Sequence, residues 1–171
     1  MSAERTAAVL VVFRKDGDLR EVLLIRRAER EGDPWSGQLA FPGGHFDPGD
    51  IDLRATALRE ATEEVGLDPR RLRGEPRFAG FRNPGNRRDL VVSVYVSEIE
   101  DGAGTDLHPG PEASEVLWVP VRGLERVVRK VPLPGRGMDL EVDGFASGKL
   151  FVWGLTYRIL SDLLGQGVDT Q

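Results

Sequence analysis

The chain has 171 residues, with 23 basic and 28 acidic side chains and a formal net charge of −5. That balance excludes the broad basic footprint that nucleic-acid binding requires. The absence of cysteine excludes disulfides, thiolate nucleophiles and thiolate metal sites. The length suits one domain of about 150 residues with some elaboration, so residues 1–171 are expected to form a single domain. No apolar run approaches the ~20 residues that cross a bilayer, and no membrane partner is expected. The N-terminal stretch MSAERTAAVLVVF lacks a signal peptide's basic region and cleavage site, which makes the cytoplasm the expected compartment.

Ala7–Phe13 and Glu21–Arg27 are rich in aliphatic and β-branched residues and flank Asp16-Gly17, a hairpin signal. Arg30–Gly37 is a loop by its Gly and Pro content. QLAFPGG follows as a short strand broken at Pro42-Gly43-Gly44, and HFDPGDID is an acidic, turn-rich loop. Asp50 or Asp52 is placed to cap a helix over Leu53–Val65, with Gly66 at C′ and Pro69 beyond it. Strands are predicted at Arg77–Phe81 and Asp89–Val96, then a long irregular loop over Glu100–Glu115 and a strand over Val116–Val121. Loops of that length are often functional. A short helix is expected near GLERVVRK, a strand near MDLEV, and an amphipathic C-terminal helix from Trp153 through Tyr157, Leu160 and Leu164.

The segment REATEEVGL, Arg59–Leu67, conflicts with ordinary helix physics. Glu60 and Glu64 lie about 40° apart around the axis, and Glu63 about 60° to the other side. Like charges at these spacings cost roughly 0.2–0.5 kcal/mol per pair, and the helix C-terminus disfavours anions. Leu58, Ala61 and Val65 fall on a separate arc suited to packing on a sheet. A solvated acidic face is the plain alternative. Against it stand the scarcity of nearby cations, with only Arg59 on the flank, and the preceding glycine-rich FPGGHFDPGD, which allows close approach of backbone to a ligand. Mg²⁺ takes oxygen ligands, often carboxylates together with substrate phosphates. The pattern therefore points to a divalent-cation site and a phosphate-bearing substrate.

GHFDPGDIDLRATALREATEEVGL, residues 44–67, resembles the Nudix box, in which Arg-Glu-aliphatic-x-Glu-Glu-x-Gly-aliphatic follows a glycine and a first acid. The match falls on Arg59, Glu60, Glu63, Glu64, Gly66 and Leu67. Asp50 stands where the family has glutamate, one residue further from Arg59 than usual, and Ala61 where it has a larger aliphatic. The FPGG and DPGD segments, SGQLAFPGG, and FVWGLTYRILSDLL near the C-terminus resemble the coenzyme A pyrophosphatase branch, although LLIRRAEREGDPWSG fits that branch more loosely. The resemblance implies an α/β fold, a Nudix α/β/α sandwich with a mixed central sheet and a loop–helix–loop box. It implies Mg²⁺- or Mn²⁺-dependent hydrolysis of the diphosphate bond of coenzyme A or acyl-coenzyme A, a small-molecule nucleotide partner, and no role for nucleic acid. Another nucleoside diphosphate derivative is the alternative substrate, and a non-catalytic nucleotide-binding module the alternative class; a homodimer stays open. By the same resemblance Glu60, Glu63 and Glu64 would hold the metal with the Gly44 carbonyl, and Arg59 would orient the glutamates. The base would be a box glutamate or an acid of the later loop, Glu112 or Glu115; Glu115 reads equally well as the exposed start of a strand.

Beyond the box, Arg26 or Arg27 is a candidate phosphate clamp, since alternation sends only one of them inward, and a solvated strand end is the plainer reading. Gly43 belongs to the expected substrate-binding turn. Trp35 either stacks on adenine or packs, and Phe41 is expected to pack. His45 reads as an exposed loop residue, with contact to a phosphate or base as the alternative, and His108 as structural; Arg87 and Arg88 read as a solvated hairpin, with a hold on the 3′-phosphate of coenzyme A as the alternative.

Overall fold

The computed structural model describes residues 5–33, 35–85, 87–133 and 136–165. In chain order the strands are β1 (Arg5–Asp16), β2 (Leu19–Arg27), β3 (Leu39–Ala40), β4 (Gly43–His45), β5 (Arg77–Arg82), β6 (Leu90–Glu98), β7 (Ala113–Pro120), β8 (Glu125–Leu133), β9 (Met138–Ser147) and β10 (Leu150–Trp153). The helices are α1 (Leu53–Val65) and α2 (Gly154–Gly165). A seven-stranded sheet runs β3-β2-β1-β6-β5, with β4 also paired to β1 and β7 to β2. Its β1–β6 pair is parallel and the other pairs antiparallel, giving the mixed sheet expected. No helix among the described residues is long and apolar enough to cross a membrane.

The glycine-rich segment occupies an unusual place in this sheet. β1 pairs with β2 only at Phe13–Asp16, and towards their other ends the two strands are paired by different partners. β3 pairs with β2 at Ile25 and Arg26, while β4 pairs with β1 at Ala7–Val9. Residues 39–45 are thus wedged between diverging strands, with Leu10 N–H donating to Pro42 C=O across the crossing point at 2.8 Å. A Cβ on Gly43 would collide with the Ala8 carbonyl oxygen. Only glycine fits there, and the wedge carries Gly43-Gly44 to the surface on which α1 lies.

Alternation along the strands separates two apolar layers. Ala8, Leu10, Val12, Leu23 and Ile25 face α1, which covers them with Ala57, Ala61 and Val65. Val11, Phe13, Val22, Leu24, Val94 and Val96 face the other way, against Ile159, Leu160 and Leu163 of α2 and Phe145 and Val152 of a second sheet. That second sheet, β10-β9-β8, is antiparallel. It corrects one sequence expectation: the GLERVVRK segment is strand β8, not a helix. Val127, Val128 and Val131 favour a strand, and the pairing that realises it comes from β9 further along the chain. Trp153 ends β10, and the C-terminal helix starts one residue later than expected.

Both ends of α1 are where the sequence puts them. The Asp52 carboxylate accepts from Ala55 N–H at 2.7 Å, as an N-cap, and Gly66 closes the helix at φ +70°. His108 packs on that glycine, 2.6 Å from where a Cβ would stand. Gly66→Ala therefore meets both a left-handed backbone and a filled space, and is expected to cost about 1–2 kcal/mol. Gly137→Ala, also at positive φ but in open space, should cost less; urea denaturation midpoints of the two variants check the difference.

Candidate active site

α1 presents its carboxylates very unequally. Glu64 is buried at 6% exposure, the Glu60 side chain is 13% exposed and Glu63 58%. The three glutamates do not share one open face, as the helical-wheel reading assumed, because the wedge of residues 39–45 roofs over part of the arc. Gly43 N–H donates to Glu64 Oε2 at 2.9 Å. The Glu60 carboxylate fills the space that a Cβ on Gly44 would take. Any side chain at Gly44 would displace Glu60, so the two glycines have separate duties: one gives a donor, the other gives room.

Arg59 binds the acidic loop to this helix. Its Nε and Nη2 grip both oxygens of Asp50 at 2.8 and 3.0 Å. Nη1 reaches Glu60 at 3.0 Å and Glu63 at 3.3 Å, and Nη2 also reaches the His45 carbonyl at 3.2 Å. The guanidinium hydrogen bonds hold the Asp50 carboxyl well below the usual carboxylate range, with help from Asp47 N–H and Thr56 Oγ1. Asp50 does not cap the helix; Asp52 does. Although one residue is added and the side chain is shorter, Asp50 still meets Arg59 in a bidentate pair.

The loop after β6 returns to the C-terminal end of α1. His108 N–H donates to Val65 C=O at 3.1 Å and Gly110 N–H to Glu64 C=O at 2.8 Å, satisfying carbonyls that a helix end leaves open. Gly110 sits so close to the Glu63 carbonyl that no Cβ fits. Two residues on, Glu112 is near enough for its charge to raise both Glu60 and Glu64, while its nearest cation, Arg30, is 3.9 Å away. Glu115 is elsewhere. It lies within β7 and pairs with Arg26 at 2.9 Å on the sheet face turned away from α1. The strand reading of Glu115 is correct, and the structure does not bring it to the cluster.

The Arg26/Arg27 alternative resolves the same way. A register shift between them sets Arg26 opposite Glu115 and Arg27 opposite Ala113, a residue of the layer under α1. Arg27 is therefore on the α1 side of the sheet, although its side chain is 44% exposed against 35% for Arg26, and its charge acts on Glu64. Its guanidinium is held by Asp33 at 3.0 Å, and Asp33 also accepts from Trp35 N–H at 3.0 Å. Trp35 is half-buried with its ring centroid 6.4 Å from that of Trp153. Phe41 is a core residue at 4% exposure. Sequence reading missed the docking role of His108 and Gly110, and treated Trp153 only as a helix residue. HPGPE carried a signal, because a Gly between two prolines marks a backbone held in a special place.

Burial is the largest effect on Glu64 and pushes its carboxyl up to about 7; Glu60 and Glu112 add to it, while Gly43 N–H and Arg27 oppose it. Glu60 is raised too, again mainly by burial. Among the described residues no three His, Asp or Glu side chains stand ready as a closed metal cage. Mg²⁺ does not need one, since it is commonly held by one or two carboxylates with water and substrate phosphate. A buried acid short of positive charge beside a second acid fits such an ion.

These features are those of a known family. A NUDIX domain profile matches residues 3–135, and the chain belongs to the Nudix family of pyrophosphohydrolases. The NudL Nudix hydrolase of Enterobacter sp. (strain 638) is 33% identical over 164 residues, covering 93% of this chain and 81% of its own. The peroxisomal coenzyme A diphosphatase NUDT7 of Mus musculus is 38% identical over 72 residues, 42% of this chain and 30% of its own. In solved structures the fold recurs in a MutT/nudix family protein from Enterococcus faecalis. The TM-score is 0.68 at 21% identity, with 99% of this chain matched to 64% of that one. It recurs also in the NUDIX domain of Shewanella oneidensis NrtR complexed with ADP ribose, with a TM-score of 0.58 at 22% identity over 70% of this chain and 75% of that one. Enzymes of this family generally need divalent cations.

The raised Glu64 carboxyl links stability to pH with a definite sign. In the folded, metal-free protein it titrates near 7 against an ordinary 4.5. Its contribution is full below about pH 4.5 and is lost as pH rises through about 7, a difference on the order of 3 kcal/mol. Glu64→Gln removes the charge and should flatten that slope, so that at pH 8 without metal the variant melts above the wild type. Adding Mg²⁺ at pH 8 should raise the wild-type melting temperature and leave Glu64→Gln nearly unmoved; calorimetric scans with and without EDTA check both.

Proposed function

We propose that this protein hydrolyses the diphosphate bond of coenzyme A or its acyl derivatives, giving 3′,5′-ADP and (acyl-)phosphopantetheine, with Mg²⁺ or Mn²⁺ as cofactor. The observation that carries the reading is the packing of Glu60 and Glu64 against the Gly43-Gly44 wedge, with the loop that bears Glu112 docked on the end of the same helix. Similarity to mouse coenzyme A diphosphatase over 72 residues favours this substrate over other nucleotides. In this reading Glu60 and Glu64 hold the cation with the Gly44 carbonyl, and Glu63, the most exposed of the three, is a further ligand. The bound ion supplies charge neutralisation of the diphosphate and a lowered pKa for the attacking water.

The side chains do the remaining work. Glu112 is the general base: it stands two residues beyond Gly110, on a loop that backbone hydrogen bonds fix to the end of α1. Its carboxylate takes the proton of the attacking water as the water meets phosphorus in line with the departing phosphate. Arg59 touches no substrate; with Asp50 it fixes the glutamates. Arg27, oriented by Asp33, clamps a phosphate oxygen, and Trp35 takes the packing role, its ring against Trp153. No covalent enzyme intermediate is required.

A second reading, hydrolysis of another nucleoside diphosphate derivative such as ADP-ribose, is favoured by the looser fit of residues 23–37 to the coenzyme A branch. A panel of coenzyme A, ADP-ribose, diadenosine tetraphosphate and ATP with Mg²⁺ and Mn²⁺ separates the two. Coenzyme A should give the highest kcat/KM, EDTA should abolish turnover, and a preference for ADP-ribose overturns the assignment. For the base, Glu112→Gln should lower kcat by about 10²–10⁴-fold with little change in KM. Glu115→Gln should stay within a few-fold of wild type; the reverse ranking would return the role to Glu115.

A further inference from the structure

The β8–β9 hairpin runs well past β10, which covers β9 only at Gly144–Ser147. Beyond that point it is a two-stranded ribbon, and one of its faces is the more apolar. Directly paired residues share a face. One face carries Arg129 with Val142, Val131 with Leu140, and Leu133 with Met138; the other carries Val128 with Asp143, Lys130 with Glu141 and Pro132 with Asp139, so five of six side chains are apolar on the first and two of six on the second. On the first face Met138 is 61% and Leu140 42% exposed. Apolar side chains concentrated on an uncovered face of a marginal two-stranded ribbon point to something that covers it.

That face has a definite starting point. Trp153 pairs with Gly144, so its side chain lies on the apolar face at the root of the ribbon, with Phe151 beside it and Arg129 stacked 4.8 Å over the Phe151 ring. Trp153 meets Trp35, Trp35 N–H meets Asp33, and Asp33 holds Arg27, the arginine whose charge acts on Glu64. A continuous strip thus leads from the phosphate clamp, over two tryptophans, out along the hairpin. From Gly144 to Met138 it extends about 20 Å and is about 10 Å wide, on the order of 200 Å². A stable interface between two protein copies takes roughly 800 Å² per partner, so the strip is too narrow for a second copy. Its dimensions suit one extended hydrocarbon chain.

We propose that the apolar face of the β8–β9 ribbon is a subsite for the acyl tail of the substrate, with Trp35 and Trp153 at its entrance, Leu140 and Met138 at its far end, and the charged face left to solvent. The proposal rests on the coenzyme A reading above and makes long-chain thioesters the preferred substrates. It is tested by kcat/KM for coenzyme A and its acetyl, hexanoyl and decanoyl esters, in wild type, Leu140→Asn and, as a control on the charged face, Glu141→Gln. Sedimentation velocity is run on each. Wild type and Glu141→Gln should show kcat/KM rising by about tenfold from acetyl to decanoyl, and Leu140→Asn should lose most of that rise. Coenzyme A cleaved with a flat chain-length series overturns the subsite but leaves the substrate reading standing. A flat series from a wild-type dimer that Leu140→Asn dissociates assigns the face to a second copy instead. No cleavage of coenzyme A or any ester overturns the substrate reading and the subsite with it.

Discussion

Glu64 is buried and, among the described residues, has a single backbone donor, Gly43 N–H, as its hydrogen-bond partner. Burying an ionised carboxylate with so little compensation is costly, and the usual response is to take up a proton. The rest of the site is arranged around that unfavourable burial. The wedge of residues 39–45 closes over Glu64 and provides its one donor. Arg27 sits at a distance, held by Asp33, and lowers the cost without neutralising it. Arg59, the cation that binds Glu60 and Glu63, has its strongest attachment to Asp50. Positive charge is thus present all round the cluster and committed elsewhere, which leaves Glu64 for an added cation.

The sheet makes this arrangement possible by keeping two chemistries on two faces. Alternation along β2 sends Arg27 towards α1 and Arg26 into a pair with Glu115 on the far side, and a register shift in β7 sets Ala113 opposite Arg27. Without the shift, the opposing strand would not place Ala113 under α1, and the loop carrying Gly110 and Glu112 would return to the helix out of phase. The geometry of a candidate base is therefore set by one irregularity in strand pairing, together with two backbone hydrogen bonds to the end of α1. The helix-terminal carbonyls, ordinarily a liability to be satisfied, here fix the loop.

Local chemistry was legible in the sequence; non-local pairing was not. The bounds of α1 could be read because a capping aspartate and a left-handed glycine are encoded within the segment itself. β1, β2 and β6 could be read from unbroken aliphatic runs. The β8 segment was misread because Glu125, Arg126, Arg129 and Lys130 punctuate its valines at a spacing that also suits a helix, and its partner β9 lies beyond a Pro/Gly turn. The burial of Glu64 was hidden for a related reason. A helical wheel assigns direction about an axis but cannot show that residues 39–45, inserted between two strands, cover part of that arc. Arg26 against Arg27 and Glu112 against Glu115 were likewise undecidable from alternation alone, since alternation separates two faces without showing which of them α1 covers.

The second sheet shows the same dependence on context. At its root it behaves as an ordinary core layer, with Phe145 and Val152 buried against α2 and the central sheet. Further out, the face continuous with Phe145 carries Asp143, Lys130 and Glu141 as well as an exposed Val128, because no layer lies beneath it. A ribbon stabilised only by its own strands would be expected to be polar on both sides there, yet the outer face remains apolar out to Met138. Retaining that face costs solubility and gives no core packing in return, and its continuity with Trp153 and Trp35 ties the cost to the site that Arg27 and Glu64 define. A role for the strip as substrate surface, as proposed, would account for that cost, which core packing does not.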